Sequence, residues 1–228
     1  MKIKKGKIVT VFSTKGGVGK TTTTLNLAYA YQSLGKKVLV LDFDLYGGNI
    51  ATYLNAGCTK TMYHLALDLA NNRYEALKDY IFNISSNIDI IASPKDPREA
   101  NKIGAKYISL ILRNAIYQYD VVLIDTTHIL NDITILTLDD SDSICYLLTN
   151  DLFDLKNSKS FFAIMKDINY ENIVVLLNES IAPSRNYFSL YDIRNMVKRN
   201  VDYTISKNMY LKNIDEYLME RNFLLDNK

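Results

Sequence analysis

Two lysines, three glycines and two threonines stand within Thr14-Lys15-Gly16-Gly17-Val18-Gly19-Lys20-Thr21, and that combination suits the holding of phosphate. Glycines admit positive-φ backbone, which turns several N–H groups onto one anion. A Lys20 ammonium would neutralise the β- and γ-phosphates of a nucleotide, and the Thr21 hydroxyl would take a place around Mg²⁺. Thr22 follows inside the first helical turn, so Gly16, Gly17, Val18, Gly19, Lys20, Thr21 and Thr22 form one candidate nucleotide-binding run. Carboxylates complete the chemistry. Asp42 and Asp44 follow Val38-Leu39-Val40-Leu41, and Asp125 follows Val121-Val122-Leu123-Ile124; acids there are placed to support Mg²⁺ and to direct a water.

These residues need elements to carry them. Ile8-Val9-Thr10-Val11-Phe12 predicts a strand into the glycine loop, and the spacing of Leu25, Ala28 and Tyr29 predicts a helix over 21–34 leading out of it. Runs without alternation, such as 38–41 and 121–124, suit parallel strands buried on both faces. Side chains alternate along a strand, so Asp42 and Asp44 project the same way if the extended backbone continues. Strand carboxyl ends are where open α/β sheets bind ligands. Further strands are expected at 88–92, 143–148, 172–177 and 201–205, and helices at 50–54, 63–70, 74–82 and 154–165, with an amphipathic helix carrying Ile103, Tyr107, Leu110, Ile111 and Ala115. That alternation predicts a doubly wound α/β fold with a mostly parallel sheet and helices on both faces, formed by residues 1–228 as a single domain. Asn178, just past a strand, offers a donor and an acceptor to an adenine edge; a turn-forming Asn explains it nearly as well.

Composition bounds the rest. Hydrophobic residues make up 48% of 228, and 27 basic against 25 acidic residues leave a net charge of +2. So even a balance argues against nucleic acid as the main partner and gives no support to membrane binding. No run approaches the ~20 apolar residues of a membrane span, and no signal peptide is visible, which predicts a cytoplasmic chain. Cys58 and Cys145, without CxxC spacing, read as reduced, buried thiols. His128, beyond Asp125, lacks a Cys or His partner for a metal, and His64 reads as a helix residue. A loop is expected over 181–187. Tyr210, Ile214, Tyr217 and Leu218 share a helical stripe whose flanking acids favour packing on the body over membrane insertion.

A strict Walker A loop has Gly where this chain has Thr14, and Lys15 is an added lysine. Lys15-Gly16-Gly17-Val18-Gly19-Lys20-Thr21 resembles the deviant Walker A loop of the ParA/MinD superfamily. With Leu41-Asp42-Phe43-Asp44-Leu45-Tyr46-Gly47-Gly48-Asn49, Ala92-Ser93-Pro94-Lys95-Asp96-Pro97-Arg98-Glu99-Ala100 and Asp120-Val121-Val122-Leu123-Ile124-Asp125-Thr126-Thr127-His128, the resemblance is to the CpaE/TadZ branch, which acts in pilus assembly and polar localisation. It implies ATP/ADP and Mg²⁺ as cofactors, Lys15 acting on the nucleotide of a facing subunit in an ATP-dependent homodimer, Asp44 directing the attacking water, Asp42 and Asp125 supporting Mg²⁺, and slow ATP hydrolysis. It further implies a protein partner in a pilus, secretion or localisation system, with recruitment to a pole or the inner membrane face. Two alternatives stay open: an ATP-gated scaffold with negligible hydrolysis, and a DNA-partition ATPase. Partition relatives usually carry Asp-Pro-Gln where this chain has Asp44-Leu45-Tyr46. Iron–sulfur members of the superfamily hold clusters with cysteines, but Cys58 and Cys145 flank no glycine-rich ligand segment. Many CpaE/TadZ proteins carry a receiver-like domain ahead of the ATPase, so an isolated domain and a shorter relative are both expected forms.

Overall fold

Uninterrupted apolar runs become the middle strands of a sheet. The protein, as a computed structural model, is described over residues 5–181 and 187–209. In chain order the elements are β1 (Lys7–Phe12), α1 (Lys20–Ser33), β2 (Val38–Phe43), α2 (Ile50–Tyr53), α3 (Met62–Ala70), β3 (Phe82–Ser85), β4 (Ile88–Ile91), α4 (Pro97–Ala100), α5 (Ile108–Ala115) and β5 (Val121–Thr126). There follow α6 (Asp132–Asp139), β6 (Ser143–Leu148), α7 (Leu152–Asp167), β7 (Ile173–Asn178), α8 (Leu190–Val197) and β8 (Tyr203–Ile205). The strands form one sheet in the order β3-β4-β2-β5-β1-β6-β7-β8. Every pairing is parallel except β3 with β4.

Both faces are covered, as a doubly wound fold requires. Leu39, Leu41, Val122 and Ile124 pack with α3 and α5 on one face. Val38, Val40 and Leu123 pack with Leu25 and Ala28 of α1 on the other. Each fully buried leucine or isoleucine contributes about 1.5–3 kcal/mol. The same alternation decides where the acids go. Asp42 continues the even-numbered face of β2 and Asp125 the odd-numbered face of β5, so both emerge on the side of α1. The two are register partners across the β2–β5 ladder.

Several expectations change. Residues 74–82 form no α-helix: Leu77–Tyr80 is a single 3₁₀ turn and Phe82 opens β3. Partly buried Phe82 and buried Ile84 alternate with the side chains of an edge hairpin, and pairing with β4 outweighs the helical spacing. The amphipathic helix starts later than its stripe suggests. Extended backbone at Gly104 separates Ile103 from a 3₁₀ turn at Ala105–Tyr107, and only then does α5 begin. Leu110 is 44% exposed while Ile108, Ile111, Leu112 and Ala115 are buried. His64 is a capping residue, its Nδ1 accepting the Thr61 N–H at 3.2 Å. Both cysteines are buried free thiols. Most of the 181–187 loop and the whole C-terminal stripe lie outside the described residues. Among the described residues no helix is long and apolar enough to cross a membrane.

Candidate functional site

β1 ends at Phe12 and releases the chain over the carboxyl edge of the sheet, where Ser13 Oγ accepts the Lys15 N–H at 3.2 Å. Gly19 is the N-cap of α1 at φ 95°, a left-handed conformation costly for a residue with a Cβ. A methyl group there would also lie 2.9 Å from Asn178 Nδ2. Gly17 shares the positive φ, whereas Gly16 does not and instead lies under the exposed His128 ring. Among the described residues no side chain caps α1, and its first turn holds no acid. The loop and Lys20, Thr21 and Thr22 therefore present helix N-terminal N–H groups without an internal anion.

Carboxylates gather behind this loop. Thr21 Oγ1 donates to Asp125 Oδ2 at 2.6 Å, and Thr24 Oγ1 lies 3.4 Å from Asp125 Oδ1. Asp42 Oδ2 accepts from the Ile50 N–H at 3.3 Å and from Ser93 Oγ at 3.1 Å. Close approach here needs Gly48, since a Cβ at that position would stand 2.5 Å from both Asp42 oxygens. Burial, and then the charge of Asp125, hold the Asp42 carboxyl well above the usual carboxylate range. Burial pushes Asp125 up to about 6 against the opposing pull of Thr21 and Lys20. Asp44, one residue past β2, is half-buried and its charge acts on Lys20, Asp42 and Asp125. Asp42 Oδ1 is buried and has no hydrogen-bond partner among the described residues. Two buried acids in register, one oxygen left unsatisfied, and a threonine hydroxyl already bonded to the cluster fit a hydrated Mg²⁺ that keeps several waters and takes one or two carboxylates.

The two lysines differ in setting. Lys20 is buried beneath the loop, its Nζ 3.5 Å from the Lys15 carbonyl. Burial lowers its pKa, opposed by Asp125, Asp44 and Asp154. Lys15 pairs with Asp151 at 3.3 Å, each side chain 39% exposed, a pair worth little in water. Asp151 caps α7 by accepting from the Phe153 and Asp154 N–H groups.

Asn178 is the last residue of β7, and its amide is largely committed. Nδ2 donates to the Val18 carbonyl at 3.0 Å, while Oδ1 accepts from Ser180 N and Oγ. One N–H remains for an adenine edge, so the donor-and-acceptor reading shrinks to a single donor. Sequence reasoning missed Thr24 and Ser93. Thr24 lies three residues after Thr21 on the same helix face, and Ser93 follows the carboxyl end of β4 beside β2; position at a strand end was the available signal.

Residues 6–182 match the family model described as an AAA domain (AAA_31). An uncharacterised ATP-binding protein of Methanocaldococcus jannaschii is 28% identical over 148 residues, covering 65% of this chain and 55% of that protein. The chromosome-partitioning ATPase Soj of Treponema pallidum is 27% identical over 199 residues, covering 86% and 76%. The septum site-determining protein MinD of Pyrococcus horikoshii, complexed with Mg-ADP, superposes with a TM-score of 0.79 at 22% identity over 94% of this chain and 86% of that one, a likeness of fold. The chain spans 55% to 61% of the length of the first curated relatives it matches. By the length of the family match the chain belongs to the AAA domain family; its sequence relatives support the ParA/MinD P-loop superfamily, whose fold it shares.

Proposed function

We propose that residues 1–228 act as one P-loop domain that binds ATP with Mg²⁺, pairs with a second copy around the nucleotide, and hydrolyses ATP slowly to time the localisation or assembly of a partner. The observation that carries this reading is the convergence of Lys20, Thr21, Asp42, Asp44 and Asp125 at the carboxyl ends of β1, β2 and β5, sealed by the 2.6 Å Thr21–Asp125 bond. Backbone N–H groups of 16–22 hold phosphate oxygens, Lys20 neutralises them, and Asn178 braces the loop by its bond to Val18 while its remaining N–H meets the base. Thr21, Asp42 and Asp125 hold Mg²⁺, which screens phosphate charge. Asp44 sits at the rim, where it orients a water. Among the described residues Lys15 is held by an exposed pair with Asp151, which suits a role toward the nucleotide of a facing copy.

Phosphate release with Mg²⁺ by wild type and Asp44→Ala tests hydrolysis. The variant is expected to fall about a hundredfold, as loss of one positioning group does, with nucleotide affinity retained. Equal, background rates in both would favour the ATP-gated scaffold. The partner is proposed to belong to a pilus or secretion system, on the resemblance of 41–49, 92–100 and 120–128 to CpaE/TadZ proteins. A partition role draws on the likeness to Soj; salt-sensitive, ATP-dependent binding to nonspecific DNA would favour it.

A further inference from the structure

Thr14 occupies the place of a glycine in a strict Walker A loop, and its side chain is not idle. Thr14 Oγ1 lies 2.9 Å from the Tyr146 hydroxyl, which lies 2.8 Å from Ser158 Oγ, which in turn donates to Asp154 Oδ1 at 3.4 Å. Tyr146, Ser158 and Asp154 are each fully buried, on β6 and α7. Asp154 Oδ2 accepts from the Thr149 N–H at 2.7 Å and the Thr149 hydroxyl at 2.6 Å. Each hydroxyl has one proton, and an ionised carboxylate only accepts. The direction follows from the Asp154 end: Ser158 donates to Asp154, Tyr146 to Ser158, and Thr14 to Tyr146. The Tyr146 ring is fixed independently, 4.8 Å from the Phe161 ring and 4.7 Å from that of Phe162.

We propose that Tyr146 is a positioning residue of the phosphate loop: its buried hydroxyl grips Thr14 and so sets the arm of the loop that carries Lys15. A ring locked in aromatic packing gives the hydroxyl a fixed place, and Thr14 is the residue adjoining Lys15. Lys20 and Thr21 are placed by α1 and Asp125 instead. The tether therefore acts on the Lys15 arm and spares the binding half of the loop. This inference rests on the reading of Lys15 in turnover for its kinetic consequence, but not for its structural one.

The test uses Tyr146→Phe, Thr14→Val, their double variant and Ser158→Ala, with two readouts. In nucleotide-free protein, hydrogen exchange of the Thr14 and Lys15 amides is expected to quicken about threefold to tenfold in Tyr146→Phe and Thr14→Val, the worth of one buried hydrogen bond. The Thr14 backbone also hydrogen-bonds the Tyr146 hydroxyl, so the double variant should exchange no faster than Tyr146→Phe alone, and Ser158→Ala, which keeps the Thr14–Tyr146 link, should match wild type. Unchanged exchange in Tyr146→Phe, multiplying effects in the double variant, or an equal effect from Ser158→Ala overturns the proposal. In turnover, Tyr146→Phe should lower kcat by about threefold to tenfold while the affinity for ADP stays within about twofold. A parallel loss of both, or no change in kcat where wild type hydrolyses ATP, overturns it as well. If wild type neither binds ATP nor releases phosphate, the ATPase reading fails while the exchange data still decide the tether.

Discussion

Asp42 and Asp125 are a poorly matched pair in nucleotide-free protein. Each carboxylate is out of water, the charge of Asp125 raises the cost of ionising Asp42 and that of Asp44 the cost of ionising Asp125, and Asp42 Oδ1 finds no donor among the described residues. Groups placed for a ligand commonly lower the stability of the protein without it. Asp42→Asn is therefore expected to raise the melting midpoint in EDTA by about 2–4 °C, equivalent to about 1 kcal/mol for a chain of this size, and to weaken the tightening of nucleotide binding by Mg²⁺. A lowered midpoint in EDTA would show that the ionised carboxylate stabilises the fold on balance. Lys20, Thr21 and Asp125 were legible because they stand at fixed offsets in a strand, loop and helix. Ser93 and Thr24 were not, since a lone hydroxyl carries no pattern until the fold brings it to a carboxylate. For Asn178 the sequence supplied the place but not the partners, which are decided by the approach of Val18 and Ser180.

Among the elements, β1 is fastened at its start by Asp142, the residue before β6. Its N–H donates to the Ile8 carbonyl at 2.9 Å, its carboxylate accepts the Ile8 N–H at 2.9 Å, and Lys7 Nζ lies 3.0 Å away. Burial works to raise the Asp142 pKa, but Ile8 and Lys7 outweigh it and hold the carboxyl below its ordinary value. A folded pKa below the unfolded one contributes stability that is present above the unfolded value, about 4, and lost as pH falls through the folded value. Asp142→Asn should cost about 1 kcal/mol at neutral pH, with the gap to wild type closing as urea titrations move below about pH 4. A pH-independent gap would assign the effect to packing. The central strands were readable because burial on both faces writes an unbroken apolar run. α6 was not: Thr134 and Thr137 face the core with Leu138 while Ile135 faces water, so its pattern is inverted. α8 buries only Ile193 and Val197 and leaves Leu190 and Tyr191 exposed. β3 exists by virtue of its β4 partner, which no local window contains.

At the scale of the whole molecule, the sheet order places β5 between β2 and β1, so one register brings acids from two strands to the loop of a third. The chain connectivity was legible from alternating strands and helices, whereas the commitment of Lys15 to Asp151 was not, because the two are far apart in sequence and joined only by folding. The central claim is that a second copy completes the site through Lys15. Phosphate release from an equimolar mixture of Lys15→Ala and Asp44→Ala tests it most directly. Alone, each variant lacks one requirement. In a mixed two-fold dimer the Asp44→Ala copy lends its Lys15 to the intact Asp44 of the other, and random pairing should restore about a quarter of wild-type turnover. A mixture no more active than its separate components would contradict the account.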